Sequence, residues 1–448
     1  MGITGNDGIV GARLSAAFFQ LPTIALAVWL VLRVMEAHFT LAVRIVFAVS
    51  VTILLNLWVH PYYKSFDYGA SIIVIAMLAI MTSTYNVRAW FGAGVILGLV
   101  AVIGRNHGVY GAFAAFLLLL FMAAKLPAPR ILIKPSLLFA SGVVIGFSPN
   151  FILGALVPGF AEAFMTTLRD LVQSGSANIG LPIPWPWTAT RDEYGLLYYF
   201  IKLAQGFAFI SLIAVPVIAL VRLARRPLAS YTAIDRLVLA LVFAGFGYAH
   251  YAFSRSDLTH LSHSIVPALM IILCFGMVIK RPLMTAALLL AASVLVLAPE
   301  KAYLAQPLLG KKLQEISVNG ETLRVFSIDA LRFNAAQNAF AEMPAAKGNF
   351  LAVPNAPGLH AMYKSPLPIW EIYALSKRPA AFESAEISRL EKSPPELILL
   401  SDDPLDFNDA QRYSRMHPLT YQWIRQHYQR MPVPRKWEDM WEVYARKP

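Results

Sequence analysis

Apolar residues fall into ten blocks along the chain, at residues 12–33, 39–60, 68–84, 89–104, 108–124, 135–157, 196–222, 237–253, 264–279 and 282–298. A helix rising 1.5 Å per residue crosses about 30 Å of hydrocarbon in roughly 20 residues, so each block predicts a transmembrane span. From Pro299 the pattern changes. Lys311, Lys312, Glu315, Glu321 and Arg324 arrive together, and the remaining stretch is long enough for a domain with its own core. The fold class expected is therefore a polytopic α-helical membrane protein of about ten transmembrane helices. Residues 1–298 form the helical domain, with an outer loop at 158–195, and residues 299–448 a small soluble α/β domain.

Inside that soluble part, ISVNGETLRVFSI reads as a hairpin about Asn319-Gly320, a dipeptide suited to the positive φ angles of a type I′ turn. NFLAV and ELILLS read as buried strands, while AEISRLEK and LTYQWIRQHYQR carry helical periodicity. No GxGxxG or phosphate loop is present, nor any internal repeat.

Composition agrees with the pattern. Of 448 residues, 57% are hydrophobic and 14% charged, and the mean hydropathy is +0.57, whereas soluble domains carry about 25% charged residues. The net charge of +12 forms no basic stripe of the kind nucleic acid requires. It is distributed by topology instead. One alternating set of loops holds Arg33, Arg44, Arg88, Lys125, Arg130, Lys134, Arg222, Arg225, Arg226, Arg236, Lys280 and Arg281. The other holds only Arg13, Lys64, Arg105, Arg169, Arg191, Lys202 and Arg255. The positive-inside rule makes the first set cytoplasmic and puts the C-terminal domain outside an inner (plasma) membrane. Cys274, the single cysteine, lies within a span and reads as a core filler. Met1 to Gly11 lacks the basic region of a cleaved signal peptide. Ten spans with an outside C-terminus place the N-terminus outside too, with no preceding segment to carry it across.

Three polar clusters share the predicted outer face, where each charged group costs insertion energy unless it meets water or protein. GRNHGVYG sets Arg105, Asn106 and His107 between Gly104 and Gly108. It reads either as a tight turn whose arginine reaches headgroups or as a phosphate site made by charge-assisted bonds. FSRSDLTHLSHS carries Arg255, Asp257, His260 and His263. Asp257 is positioned to cap a helix starting near Leu258, with His260 one turn along. Capping leaves the other polar groups unexplained, and a carboxylate beside an imidazole suits acid/base work. HPYYKSFDYG adds His60, Tyr62, Lys64 and Asp67, readable as an interfacial belt or as chemistry. In GLPIPWPWTATRDEYG, Pro182, Pro184 and Pro186 stop a helix. Trp185 and Trp187 there suit an interfacial anchor, or a lid or wall over a lipid or glycan site. SDDPLDFND holds Asp402, Asp403, Asp406 and Asp409 but lacks calcium-loop spacing and its glycine, so it reads as a solvated turn after a strand, with a divalent metal left open as the alternative but not indicated.

The order of these parts resembles the membrane glycosyltransferases of the C superfamily: AGVILGLVAVIGRNHGVYG, then YAFSRSDLTHLSHSIVPAL, then NFLAVPNAPGLHAMYKSPLP in a C-terminal outer domain. Members use dolichyl-phosphate-mannose or undecaprenyl-phosphate sugars and attach the sugar to an acceptor outside the membrane. The resemblance implies a lipid-linked sugar donor, membrane lipids as surroundings and a glycan, lipid or protein acceptor. It makes Arg105, His107 and Arg255 phosphate-binding cations. Asn106 and His263 join the substrate-binding set, with Asp257 and His260 in the pocket as the catalytic candidates. Such enzymes usually open with a helix and an outer loop bearing the catalytic acid. Here the chain begins about where that loop would end, and Asp7 is the only acid there. Asp67 or Asp257 is left as an alternative base. Two other readings stay open: a non-enzymatic glycolipid-binding or scaffold protein, and a transporter, although neither repeats nor midplane polar breaks are evident.

Overall fold

Each of the ten apolar blocks falls on a helix in the computed structural model. It describes residues 8–35, 39–174, 179–191, 195–318, 320–371, 373–434 and 440–447. The chain divides into two units, residues 11–301, and residues 302–448 with the described residues 8–10.

The first unit holds α1 (Ile9–Arg33), α2 (Leu41–Leu57), α3 (Ser65–Ser83), α4 (Val87–Ile103), α5 (Arg105–Lys125) and α6 (Ile133–Leu156). These are followed by α7 (Phe160–Ser174), α8 (Gly195–Ala224), α9 (Ala233–Ser254), α10 (Leu258–Ser264), α11 (Val266–Val278) and α12 (Pro282–Leu297). Among the described residues, six helical segments are long and apolar enough to cross a membrane, and the count reaches eight if two bent helix pairs are each taken as one span. The two shorter apolar helices are α2 and α4. The count of spans by length and apolarity is thus lower than the count of apolar blocks. The reason is that some blocks are bent or short: α10 meets α11 at 50° around Ile265.

Large apolar side chains face outward along this unit. Val144 and Ile152 on α6 are 59% and 54% exposed, and α2 presents Ile45, Val49 and Ile53 in the same way. Such faces belong in lipid, where the helices satisfy their own backbone hydrogen bonds. The chain is a multi-pass helical membrane protein.

The helices are joined by small residues and by local caps. Gly94 and Gly98 on α4 face Gly142 and Gly146 on α6. A Cβ at Gly94 would lie 2.0 Å from the Phe139 carbonyl oxygen, and one at Gly146 2.2 Å from that of Val95. These two small-xxx-small stripes let the backbones touch, the geometry that drives helix association where lipid is as apolar as leucine. At the start of α9, Thr232 and Asp235 form a reciprocal capping box. Trp58, just past α2, donates its indole N–H to Ser293 on α12 at 2.8 Å.

The stretch 158–195, expected as a loop, contains α7. Its sequence FAEAFMTTLRDLVQS is amphipathic, with Phe160, Phe164, Leu168, Leu171 and Val172 recurring at helical spacing. Proline-rich chain follows: Pro184 and Pro186 press on α8 at Gly206, where a Cβ would lie 2.5 Å from the Pro186 nitrogen. Trp187 is 72% exposed while its stacked neighbour Trp185, 5.2 Å away, packs toward Phe253. Asp192 to Tyr194 lie outside the described residues.

The second unit holds α13 (Ala302–Leu309), β1 (Leu313–Val318), β2 (Glu321–Phe326), α14 (Ser327–Glu342), β3 (Phe350–Val353), α15 (Pro357–Tyr363) and α16 (Ala380–Lys392). After these come β4 (Leu397–Leu400), α17 (Tyr413–Met416), α18 (Pro418–His427), β5 (Tyr428–Arg430) and β6 (Glu442–Arg446). β1 and β2 pair antiparallel with Val318 opposite Glu321. The connection is two residues long, Gly320 has φ +81, and Asn319 lies outside the described residues.

The main sheet runs β3-β4-β6-β5, parallel between β3 and β4 and antiparallel elsewhere. Both faces are covered, which is why FLAV and LILL are apolar at every position. Phe350, Leu397 and Leu399 pack with Phe333 and Phe340 of α14 on one face. Leu351, Ile398 and Leu400 pack with Leu390 of α16 and Trp423 and Ile424 of α18 on the other. LTYQWIRQHYQR is not helical to its end. Tyr428 leaves α18 to pair with β6, its ring buried and its hydroxyl donating to the Pro395 carbonyl at 2.8 Å. Sheet packing overrides the helical period there.

Candidate functional site

The sequence of α5 explains how its first turn becomes a site. Gly104 precedes it because a side chain there would meet the His107 ring at 2.8 Å, and Gly108 lets α5 lie on Ala101 of α4, where a Cβ would come within 2.4 Å. His107 is thereby turned inward and buried at 3% exposure, while Arg105 and Asn106 stay exposed.

His107 bridges three helices. Its Nε2 lies 2.9 Å from Oδ1 of Asp67 in the first turn of α3, and its Nδ1 2.9 Å from the hydroxyl of Tyr248 near the end of α9. A neutral ring satisfies both partners: Nε2–H donates to the carboxylate and Nδ1 accepts from the phenol. Asp67 and His107 also border a cavity of about 540 Å³, whose other walls include Arg105, Asn106, Asn150 of α6, Tyr251 of α9, and Phe160 and Phe164 of α7. The Arg105 guanidinium stands 6.0 Å from the Phe164 ring centre. One rim is thus cationic and polar, and the facing wall is aromatic.

The second cluster sits at the same end of the bundle. Asp257 is the N-cap of α10, accepting from the His260 backbone N–H at 2.9 Å, from its ring Nδ1 at 2.7 Å and from Arg255 Nε at 2.8 Å. Burial pushes this carboxyl up, but the His260 hydrogen bonds, the His260 charge and the Arg255 bond outweigh it and hold it at about 2. Arg255 also donates to the Ile179 carbonyl at 3.1 Å, tying the chain after α7 to this corner. Asp257 borders a separate cavity of about 350 Å³ with His60, Pro184, Gln205, Thr259 and Glu300.

Tyr251 stands between the clusters. Its ring centre is 6.4 Å from that of His107, 4.8 Å from that of His260 and 5.7 Å from that of His263.

Of the residues singled out by sequence, Asp67, Arg105, Asn106 and His107 meet at one cavity and Asp257 borders the other. His260 and Arg255 stand behind Asp257 as its bonding partners. His263 departs from the substrate-binding expectation. One helical turn beyond His260, it points into the bundle, has no exposure and finds no hydrogen-bond partner for either ring nitrogen among the described residues. Tyr62 and Lys64 do not line either cavity; the Tyr62 ring instead receives the buried Lys301 ammonium at 4.7 Å. Asp7 lies outside the described residues.

Sequence reasoning missed Tyr248, Tyr251, Asn150, Glu300 and Lys301. A signal existed for each. YAHYAF places two phenols three residues apart at a span end, Asn150 is a polar residue within an apolar block, and Glu300-Lys301 is a charged pair at the end of the last block.

The aspartates of SDDPLDFND are committed locally. Asp402 accepts from Ser414 N–H and hydroxyl at 2.7 and 2.8 Å, and Asp409 pairs with Arg412 at 2.9 Å. Among the described residues no three His, Cys, Asp or Glu side chains gather as metal ligands. No family model matches this chain, and no curated protein matches it.

Proposed function

We propose that the chain is an integral-membrane glycosyltransferase that moves a sugar from a polyprenyl-phosphate donor to an acceptor at the outer face. In this reading the helical unit crosses the membrane ten times, and the α/β unit lies outside an inner membrane, as the distribution of lysine and arginine suggests. The observation that carries it is the Asp67–His107–Tyr248 chain bordering a cavity with Arg105.

Sugar transfer from a phosphate needs a base for the acceptor hydroxyl and a cation for the departing phosphate. Asp67 is the favoured base. It uses one carboxylate oxygen on His107 and its side chain keeps 34% exposure at the cavity. Asp257 is the poorer candidate, because three hydrogen bonds already hold its charge. Its role is to position α10. Arg105 takes the phosphate, and Phe160 and Phe164 offer an apolar wall to a prenyl chain. In the balanced step, the acceptor O–H proton passes to Asp67, the acceptor oxygen bonds to the sugar's anomeric carbon, and the bond from that carbon to the phosphate oxygen breaks.

A second reading, glycolipid binding without turnover, draws on one observation: both carboxylates already stand in imidazole pairs. Proteoliposomes supplied with radiolabelled polyprenyl-phosphate sugars and an outer-leaflet acceptor separate the readings. Transfer supports the enzyme, and lipid retention without transfer supports the binding protein. Absence of both overturns the proposal.

A further inference from the structure

The end of the bundle opposite Asp67 carries a different kind of cavity. α3 runs from Ser65, with Asp67 in its first turn, to Ser83 and α9 from Ala233 to Ser254, so the last turns of α3 and the first turns of α9 share that far end with the last turns of α1. Together with α4 they enclose a groove of about 760 Å³. Its depth is aliphatic, built from Leu26, Leu30, Ile73, Ile80, Ile96 and Leu237. Its rim is cationic and aromatic, with Arg33 and Arg236 beside Trp29 and Tyr231.

The rim is held in place by short-range contacts. The Arg33 guanidinium lies 5.1 Å from the Trp29 ring centre, and Arg236 Nη1 donates to the Ser83 carbonyl at 3.2 Å. No carboxylate lines the groove among the described residues. The nearby Asp235 is buried and spent on Thr232 and Arg226. Among the described residues, two cations therefore share one groove that no carboxylate lines, at the end that the lysine and arginine distribution makes cytoplasmic. Trp29 is half exposed, and such rings settle at the headgroup level.

We infer that this groove is a binding site for an anionic phospholipid. The headgroup phosphate sits between Arg33 and Arg236, and an acyl chain lies along Ile73, Ile80 and Leu237. Charge complementarity selects the headgroup, since basic pockets between transmembrane helices on the cytoplasmic side suit acidic lipid heads. The aliphatic depth selects a chain-bearing ligand over a free phosphate. The inference stands apart from the glycosyl-transfer reading and survives its failure.

Native mass spectrometry of the full chain in mild detergent, supplied with equal phosphatidylglycerol and phosphatidylcholine, tests it. One phosphatidylglycerol per chain is expected to be retained at least about fivefold over phosphatidylcholine. The Arg33→Gln/Arg236→Gln double variant should reduce that preference to parity, and Ala76→Trp, which fills the groove without touching its charges, should remove the bound lipid. Arg222→Gln serves as the control, because Arg222 is a cation elsewhere, 5.5 Å from the Phe275 ring centre; it should leave retention unchanged. Thermal melting reports whether each variant folds. Equal retention of the two lipids by the unaltered chain overturns the inference whatever the variants do. So does an Arg222→Gln effect equal to that of the double variant.

Discussion

Asp67 on α3 and His107 on α5 lie 2.9 Å apart although forty positions separate them in the chain. The pair exists because Gly104 clears space for the histidine ring and Gly108 lets α5 close on α4, and the other ring nitrogen is taken by Tyr248. If Asp67 is the base, Asp67→Asn keeps the hydrogen-bonding shape and removes the proton acceptor. Transfer should fall about a hundred- to ten-thousandfold, with donor binding little changed. Steady-state kinetics beside a lipid-binding assay would expose a merely structural role, in which binding and turnover fall together.

Tyr248→Phe should act more mildly. It removes the hydroxyl on His107 Nδ1 and leaves a buried acceptor unsatisfied, at about 1–3 kcal/mol. The expected result is a lowered melting temperature with a smaller rate loss than Asp67→Asn gives. A rate loss as large as that of Asp67→Asn would make the phenol part of the chemistry.

Asp257 is expected to divide differently. As the cap of α10 and the partner of Arg255, it should cost about 0.5–2 kcal/mol of stability from the cap alone when changed to alanine. Asp257→Asn should retain more activity than Asp67→Asn, measured in the same proteoliposomes. The reverse order would move the base to α10.

Gly146 tests the packing that sets the wall of the cavity. Leucine there would drive a side chain into the Val95 carbonyl, so α4 and α6 must separate and Asn150, one turn on, must move. We expect loss of folded protein in detergent, scored by size-exclusion chromatography. Gly92→Ala on α4, where nothing lies within 4 Å, should have no effect.

The α/β unit should weaken in mild acid. His360 is buried, stacked on Phe350 at 4.3 Å, and burial pushes it down to about 4; burial and the Arg378 charge do the same to His417. Both therefore stay neutral when folded and take up a proton once unfolded, below their ordinary value of 6.5. Stability is fully present above that value and is lost as pH falls from 6.5 toward 4. Hydrogen exchange at β3 and α15 of the full chain should speed up from pH 7 to pH 5, and His360→Gln should flatten that dependence.

Much of this architecture was legible because lipid imposes one simple rule on apolar blocks and a two-sided sheet imposes another. NFLAV and ELILLS announced buried strands, and the glycines of GRNHG announced a shaped turn. The bend at Ile265 and the short α2 and α4 were hidden, since hydropathy counts apolar residues and not helix breaks. Asp67 looked like part of an aromatic belt because its meaning lies in His107, a partner no local pattern reveals. His263 misled for the opposite reason: its neighbours Asp257 and His260 face polar partners, but one more turn of α10 carries it into the bundle. Residues 158–195 read as a loop because proline and tryptophan dominate their second half, which concealed the amphipathic α7 in the first.

The most direct test of the central claim is sugar transfer by the unaltered chain and by Asp67→Asn in matched proteoliposomes, with a labelled polyprenyl-phosphate sugar and an outer-leaflet acceptor. The account predicts label on the acceptor with the unaltered chain, and at least about a hundredfold less with Asp67→Asn at equal donor binding. Equal transfer by the two proteins, or none by either under conditions where the donor is bound, would contradict it.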